Sequence, residues 1–240
     1  MLYNQEVKDG MKLTFSFTGQ DRFSGQGVVE PPVAPTGFSA GYTNLLFVTP
    51  LGAYVFEPRY ADFGNRLFYP LVPPGIQGQY VAWVWLEDDQ KHFLLTAKAF
   101  SGSSFTPTLA APFSPSVDVS SALPRVSGLR ATGVNLIGYF VSVSWKPDPS
   151  KNVWQSVNAF ASAKWLGSQD AYNLPDLSSL GFSAARPSSG LNASYSAGAT
   201  FSAQSVAEIL AVSGSIGIIR TNTPNLDRKG AGVGGSYQVP

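Results

Sequence analysis

The chain has 240 residues, room for one large or two small domains, and its 16 Lys and Arg nearly cancel 15 Asp and Glu to leave a formal net charge of +1. Only 13% of residues are charged, about half the ~25% usual in a soluble domain, whereas 44% are hydrophobic. No cysteine is present, which excludes disulfides, thiolate nucleophiles and cysteine metal sites, and the cations are scattered singly, which leaves no basic stripe for nucleic acid.

Ser, Ala, Gly and Thr must therefore make up much of the exterior, a bias that fits secreted or assembled β proteins. The opening MLYNQEVKDG lacks the basic, apolar and small-residue segments of a secretory signal, so an extracellular location requires that such a segment has been removed.

In chain order, MKLTFSFT alternates Met11, Leu13, Phe15 and Phe17 with polar residues at the period of a half-buried strand, and Phe15 and Phe17 are expected in the core. A proline-rich step, EPPVAPT, leads into GFSAG. Next, NLLFVT and AYVFE flank Pro50-Leu51-Gly52 and predict a hairpin. A second hairpin pairs YVAWVWL with HFLLTAKAF across the acidic turn EDDQK. From Ser101 to Pro124 the chain is rich in Ser, Thr, Ala and Pro and predicts a linker, part of which could pair as an edge strand. NLIGYFVSVSW then gives a long strand ending at Pro147 and Pro149, and SVNAFASA returns antiparallel to it. SAQSVAEILAV is the best helical signal, with Ser202 as N-cap and Gly214 as terminator. GAGVGG, near the C-terminus, predicts a turning segment ahead of a last short strand, SYQV. The most apolar late stretch, Val206 to Ile219, contains Glu208 and falls short of the ~20 residues of a membrane span, so no bilayer crossing is expected.

GFSAG, Gly37 to Gly41, formally matches the G-x-S-x-G of a hydrolase nucleophile elbow. Such an elbow needs a strand before it and a helix after it, whereas here a proline-rich connector precedes and a strand follows. The segment also has an echo. PTGFSAGYTNLLFV and VSGLRATGVNLIGYFVSV share a plan of Gly, a bulky apolar residue, Ala, a second Gly and Asn-Leu before a strand, with Gly37 and Gly128 offset by 128 minus 37, or 91, residues. Arg130 stands where Ser39 stood, so the shared plan is structural. A spacing of this size suits one small β-sandwich. The expected organisation is an N-terminal strand segment (1–32), a first β-sandwich domain (33–122) and a second (123–240), all-β and antiparallel with at most one short helix.

PRVSGLRA followed by VSVSWKPDP resembles the first strand and the Trp-bearing second strand of a fibronectin type III module, best over residues 123–165. The resemblance implies an immunoglobulin-like sandwich with Trp145 in the core and Pro147 and Pro149 after it. It says little of function, because such modules serve binding, spacing and adhesion alike.

Glu87, Asp88 and Asp89 form an acidic cluster, but three adjacent turn residues point different ways and predict a solvated turn; neither metal nor cofactor is expected. His92 has no second histidine or cysteine to join it as a ligand. The GAGVGG run lacks the Lys-Ser or Lys-Thr of a phosphate loop. Asn192-Ala193-Ser194 is a glycosylation sequon that matters only in a glycosylating secretory pathway. In VAWVWL, Val81, Trp83 and Trp85 share one face while Tyr80, Ala82, Val84 and Leu86 share the other, so neither is polar. The second face must meet another domain, another subunit or a flat ligand such as a sugar ring. The expectation is a non-enzymatic structural or adhesive protein of a cell envelope or extracellular assembly, with protein subunits, its own copies included, as partners. Alternatives are a virion component (capsid, decoration or tail) and a carbohydrate-binding module using Trp83 and Trp85.

Overall fold

The computed structural model describes residues 25–49, 52–73, 75–182, 185–208 and 226–240, with backbone only for 52–60 and 179. Phe15, Phe17 and the predicted strand that holds them lie outside the described residues. The strands are β1 (Gln26–Val29), β2 (Phe38–Thr49), β3 (Gly52–Asp62), β4 (Leu67–Pro70), β5 (Gln79–Asp88), β6 (His92–Phe100) and β7 (Ser104–Phe105). They continue as β8 (Ser116–Asp118), β9 (Arg125–Ser127), β10 (Leu136–Trp145), β11 (Gln155–Ser162), β12 (Ala171–Asn173), β13 (Asn192–Ser202) and β14 (Asp227–Gln238).

The chain is all-β, as the sequence predicts. One eight-stranded antiparallel sheet, in the order β11-β10-β13-β14-β6-β5-β2-β3, runs through both halves, and two three-stranded sheets accompany it, β4-β1-β7 and β12-β9-β8. The layering therefore differs from two separate tandem sandwiches: β14, at the C-terminal end, pairs with β6 from Asp227↔Lys98 to Val233↔His92 and makes the large sheet continuous. Within each half the strands follow one order, β3-β2-β5-β6 and β11-β10-β13-β14. The small sheets repeat an antiparallel pair, β4 with β1 and β12 with β9, whereas β7 joins β1 in parallel and β8 joins β9 antiparallel.

Opposite residues in an antiparallel ladder share a face, so the pairings trace each face across the sheet. Leu86, Leu94, Ala231, Ala199, Tyr139 and Ala161 lie in one row on the inner face. That face is covered in three places. Val29, Leu67 and Tyr69 of the first small sheet pack on Leu45, Phe47, Tyr80 and Ala82. Val126 and Val117 of the second pack in a core with Tyr139, Val141, Val143 and the fully buried Trp145. Between them Leu109, Ala110 and Phe113 of the expected linker pack against Phe38, Val84, Leu86, Leu94 and Ala231, across the seam of β6 and β14. The linker is thus a cover over the join of the two halves, and only its ends, β7 and β8, pair as short edge strands.

Helical structure exceeds the single short helix expected. A turn of helix, α1 (Ala163–Leu166), follows β11: the Ser162 hydroxyl accepts from the Trp165 N–H and Gly167 ends it with φ 58°. A 3-10 turn occupies Ser178–Leu180. The predicted late helix starts three residues later than expected. The N-cap is Ser205, whose hydroxyl accepts from the Glu208 N–H while the Glu208 carboxylate accepts from the Ser205 N–H, a reciprocal capping box. The rest of the predicted segment, with Gly214, lies outside the described residues. Among the described residues no helix is long and apolar enough to cross a membrane, which says nothing of a β-barrel.

The GAGVGG run, expected to turn, lies inside β14 in the middle of the large sheet. Aromatic side chains on the two neighbouring strands, Phe93 of β6 and Tyr195 of β13, sit opposite its glycines, and Phe140 of β10 sits in the same way opposite a glycine of β13. A Cβ on Gly232 would meet the Phe93 ring at 2.7 Å, and one on Gly235 would meet the Tyr195 hydroxyl at 2.5 Å. On β13, a Cβ on Gly198 would meet the Phe140 ring at 3.0 Å. Each of these pairs is directly opposite in register, Phe93↔Gly232, Tyr195↔Gly235 and Phe140↔Gly198. The rings lie flat across the sheet only because their cross-strand partners have no side chain.

Candidate functional site

The outer face of the large sheet is covered differently in its two parts. At one end Val81 is fully buried against Val48, Ala97 and Leu226, so the chain covers this part itself. Leu226 is held there by its carbonyl, which accepts from the Ala99 N–H at 2.7 Å. Beyond it Trp83, Trp85, Phe93, Leu95 and Phe140 line an open groove of about 230 Å³, with Gly230 in its floor and Ser196 and Thr200 on its far wall. Trp85 and Phe93 stack at 4.8 Å and 12°, and Phe93 meets Phe140 at 6.0 Å across the seam. The aromatic row therefore bridges the first half to the second.

Aromatic and aliphatic side chains dominate the groove, Arg228 and Lys229 complete its lining, and the buried Trp83 Nε1 has no hydrogen-bond partner. Leaving such an N–H unmade costs roughly 1–3 kcal/mol, so a ligand or partner oxygen placed there is favoured. Of the three contact residues taken from the sequence, Trp83 and Trp85 reach this groove and Val81 does not. Phe93, Leu95 and Phe140 were missed. Phe93 and Leu95 are readable from the β6 alternation, but Phe140 comes from a strand three ladders away from β6 and carries no local signal.

Ser39 is placed on the sheet. Gly37, at φ 94°, turns the chain into β2, and the register of β2 on β5 shifts between Phe38↔Asp88 and Ala40↔Glu87, which makes Ser39 the extra residue of a bulge. His92 is bonded elsewhere. Its Nδ1 lies 2.7 Å from Asp88 Oδ2 and its Nε2 lies 2.9 Å from Ser114 Oγ. With Asp88 ionised, the His92 Nδ1–H donates to it, and Nε2 shares a hydrogen bond with the Ser114 hydroxyl. Burial works against the Asp88 carboxylate, but hydrogen bonds from the His92 ring and from the His92 and Gln90 N–H groups hold it below the usual carboxylate range.

This chain of contacts has the order of a Ser-His-Asp triad. A serine hydrolase also needs donors for the oxyanion, usually including the N–H of the residue after the nucleophile. That residue is Pro115, which has none, and Ser114 stands exposed on an extended cover segment with Pro112 before it. The contact joins the cover segment to the β5–β6 turn. It pins the strip that carries Leu109, Ala110 and Phe113 over the seam.

The acidic cluster is used in the turn. Glu87 pairs with Lys91 at 2.7 Å, Asp88 serves His92 and the backbone, and Asp89 is exposed at the tip beside Lys91, whose φ is 66°. Among the described residues no group of His, Asp or Glu is arranged to hold a metal ion. Asn192 of the sequon is exposed at the start of β13.

No protein-family model matches the chain, and no curated protein matches it. Among solved structures, a DUF3823 family protein from Bacteroides uniformis ATCC 8492 aligns over 90% of this chain and 99% of its own, at 11% identity and TM-score 0.33. The FN1-FN3 domains of chicken CNTN1 align over 77% of this chain and 62% of theirs, at 18% identity and TM-score 0.24. Both are low-score likenesses, and neither carries an argument about function.

Proposed function

We propose that the chain is a non-enzymatic structural or adhesive protein of a cell envelope or extracellular assembly, acting through contacts with other protein subunits. Its two halves are read as immunoglobulin-like, fibronectin type III-like sandwich units joined edge to edge, each with four strands of the large sheet and its own small sheet. The repeated strand order and the pair of small sheets support that reading. The observation that carries the functional reading is the aromatic groove of Trp83, Trp85, Phe93, Leu95 and Phe140 on a face that the described residues leave open. Aromatic anchors around an apolar hollow are the usual centre of a protein contact, and arginine, here the buried Arg228 on the lining, is enriched there with them.

A Leu95→Asp substitution tests it. Leu95 is half-buried in the groove wall, so the variant folds with a carboxylate in the contact. Association with the native partner, or with further copies, is expected to fall at least tenfold, and unchanged association overturns the role of the groove. The unpartnered Trp83 indole N–H and the Ser196 and Thr200 hydroxyls favour one second reading, a glycan laid in the same groove. Binding on a glycan array that is abolished by Trp83→Ala and Trp85→Ala supports the second reading, and no binding by the parent protein removes it.

A further inference from the structure

The large sheet ends in two edge strands, β3 and β11, and their sequences treat the edge in opposite ways. Exposed edges present unpaired N–H and C=O groups, and proteins guard them with charge, proline or bulges. The sequence of β3 includes Glu57, Pro58, Arg59 and Asp62, and its pairing with β2 is interrupted by a register shift. β11, QSVNAFAS, has no charge, proline or glycine and pairs with β10 in unbroken register from Gly138↔Ser162 to Trp145↔Gln155. Its far side has no strand beside it among the described residues. Large apolar side chains bracket it: Val153 and Trp154 just before are 59% and 57% exposed, and Trp165 just after is 67% exposed.

We propose that β11 is a self-association edge: a second copy of this chain adds its own β11 antiparallel, about a two-fold axis at Ala159. The proposal rests on the contact-making function above and names its surface and partner. Four features select a second copy as the occupant. The chain already joins its two halves in this way, β6 against β14. β11 is uncharged, so pairing with itself meets no like-charge repulsion along the ladder. The axis at Ala159 sets Ser156 opposite Ser162 and Asn158 opposite Phe160, which keeps the open faces of both copies on one side. The same register brings Val153 level with Trp165 of the second copy, and Trp154 level with its Lys164. Trp154 already holds a cation over its ring, with Lys146 Nζ at 5.1 Å from the centroid. A two-fold uses both flanks twice, so the four indoles bury about 400–600 Å² before the strands themselves are counted, against the ~1,000 Å² of a specific interface.

The test uses the full chain, which has no native cysteine to confuse it. Ala159→Cys is oxidised under mild conditions. Directly opposed antiparallel residues lie within disulfide reach, and the expected product is a linked dimer in high yield. Asn158→Lys and Trp165→Ala, both at exposed positions, are compared with the parent by sedimentation and should weaken dimerisation at least tenfold with circular dichroism unchanged. A parent that sediments as an oligomer while Ala159→Cys stays unlinked and both variants associate normally overturns this edge and leaves the contact-making function standing. A parent that is monomeric at every concentration overturns the self-association edge, and with it self-association altogether. An extended peptide from another protein captured by the monomer gives that second result.

Discussion

The Phe140 ring lies across the outer face of the sheet above Gly198, its direct partner on β13. A methyl group there would press on the Ala231 carbonyl oxygen as well as on the ring, at a point where the backbone cannot yield without opening the β13–β14 ladder. Gly230, one step along the same sheet, would hold its Cβ at ordinary distances, 3.7 Å from Leu95 and from the Ala199 oxygen. Gly198→Ala and Gly232→Ala are therefore expected to destabilise by about 1–3 kcal/mol each, the cost of overpacking a well-filled site. Gly230→Ala should be neutral or slightly stabilising because it removes unfolded-state freedom. Urea unfolding of the three variants checks this, and equal losses at all three positions would contradict it.

Trp145 and Trp165 separate core from surface. Trp145 is 1% exposed within the second core, and its replacement by Ala should cost about 3–5 kcal/mol. Trp165 is mostly exposed, touching Tyr172 edge-on at 6.1 Å, and Trp165→Ala should change the stability of the monomer by no more than about 0.5 kcal/mol. Thermal melts at a dilution that suppresses association compare the two.

The Ser114–His92–Asp88 contacts are predicted to be mechanical. A fluorophosphonate probe should leave Ser114 unlabelled, and Ser114→Ala should speed proteolysis near Phe113 without changing any esterase background. Stoichiometric labelling lost in Ser114→Ala and His92→Asn would make the site catalytic and contradict the non-enzymatic account. The depressed Asp88 carboxyl also fixes a sign. A carboxylate held below its unfolded value adds stability that is present above the unfolded range and is lost as pH falls through its folded value. Asp88→Asn should accordingly lose stability at neutral pH and flatten the acid limb of the stability curve.

Tyr69 gives the opposite limb. It is fully buried, its hydroxyl donating to the Gly102 carbonyl at 2.8 Å, and burial followed by the neighbouring Tyr80 phenol pushes it up to about 12. An unfolded phenol titrates near ~10, so the stability tied to Tyr69 is complete below that pH and is lost as pH rises toward the folded value, a total of about 2–3 kcal/mol. Tyr69→Phe should lie below the parent at pH 8 and converge with it by pH 11.5. Parallel curves over that range would remove the assignment.

The hairpin of β5 and β6 was legible because alternation and an acidic turn are local signals, and the same alternation gave the two apolar faces of VAWVWL. The core place of Trp145 is what the resemblance of its strand to a fibronectin type III module implies, and the side chain is buried there. The seam was not legible. β14 has few side chains with which to announce a strand, and the reason for its glycines lies in Phe93 and Tyr195, which are distant in sequence and visible as partners only after the register is known. The cover segment reads as a linker for a related reason: Leu109, Ala110 and Phe113 are sparse in a proline-rich run, and the sheet they cover is assembled from both halves. Ser114 gave no sign of its contact with His92, which depends on that crossing.

Multi-angle light scattering of the parent protein from about 1 to 100 µM tests the central claim most directly, since an apolar groove and a bare edge strand both serve contacts. The account predicts a mass that rises with concentration to a dimer or beyond. A constant monomer mass across that range, at low and at physiological salt, would contradict it.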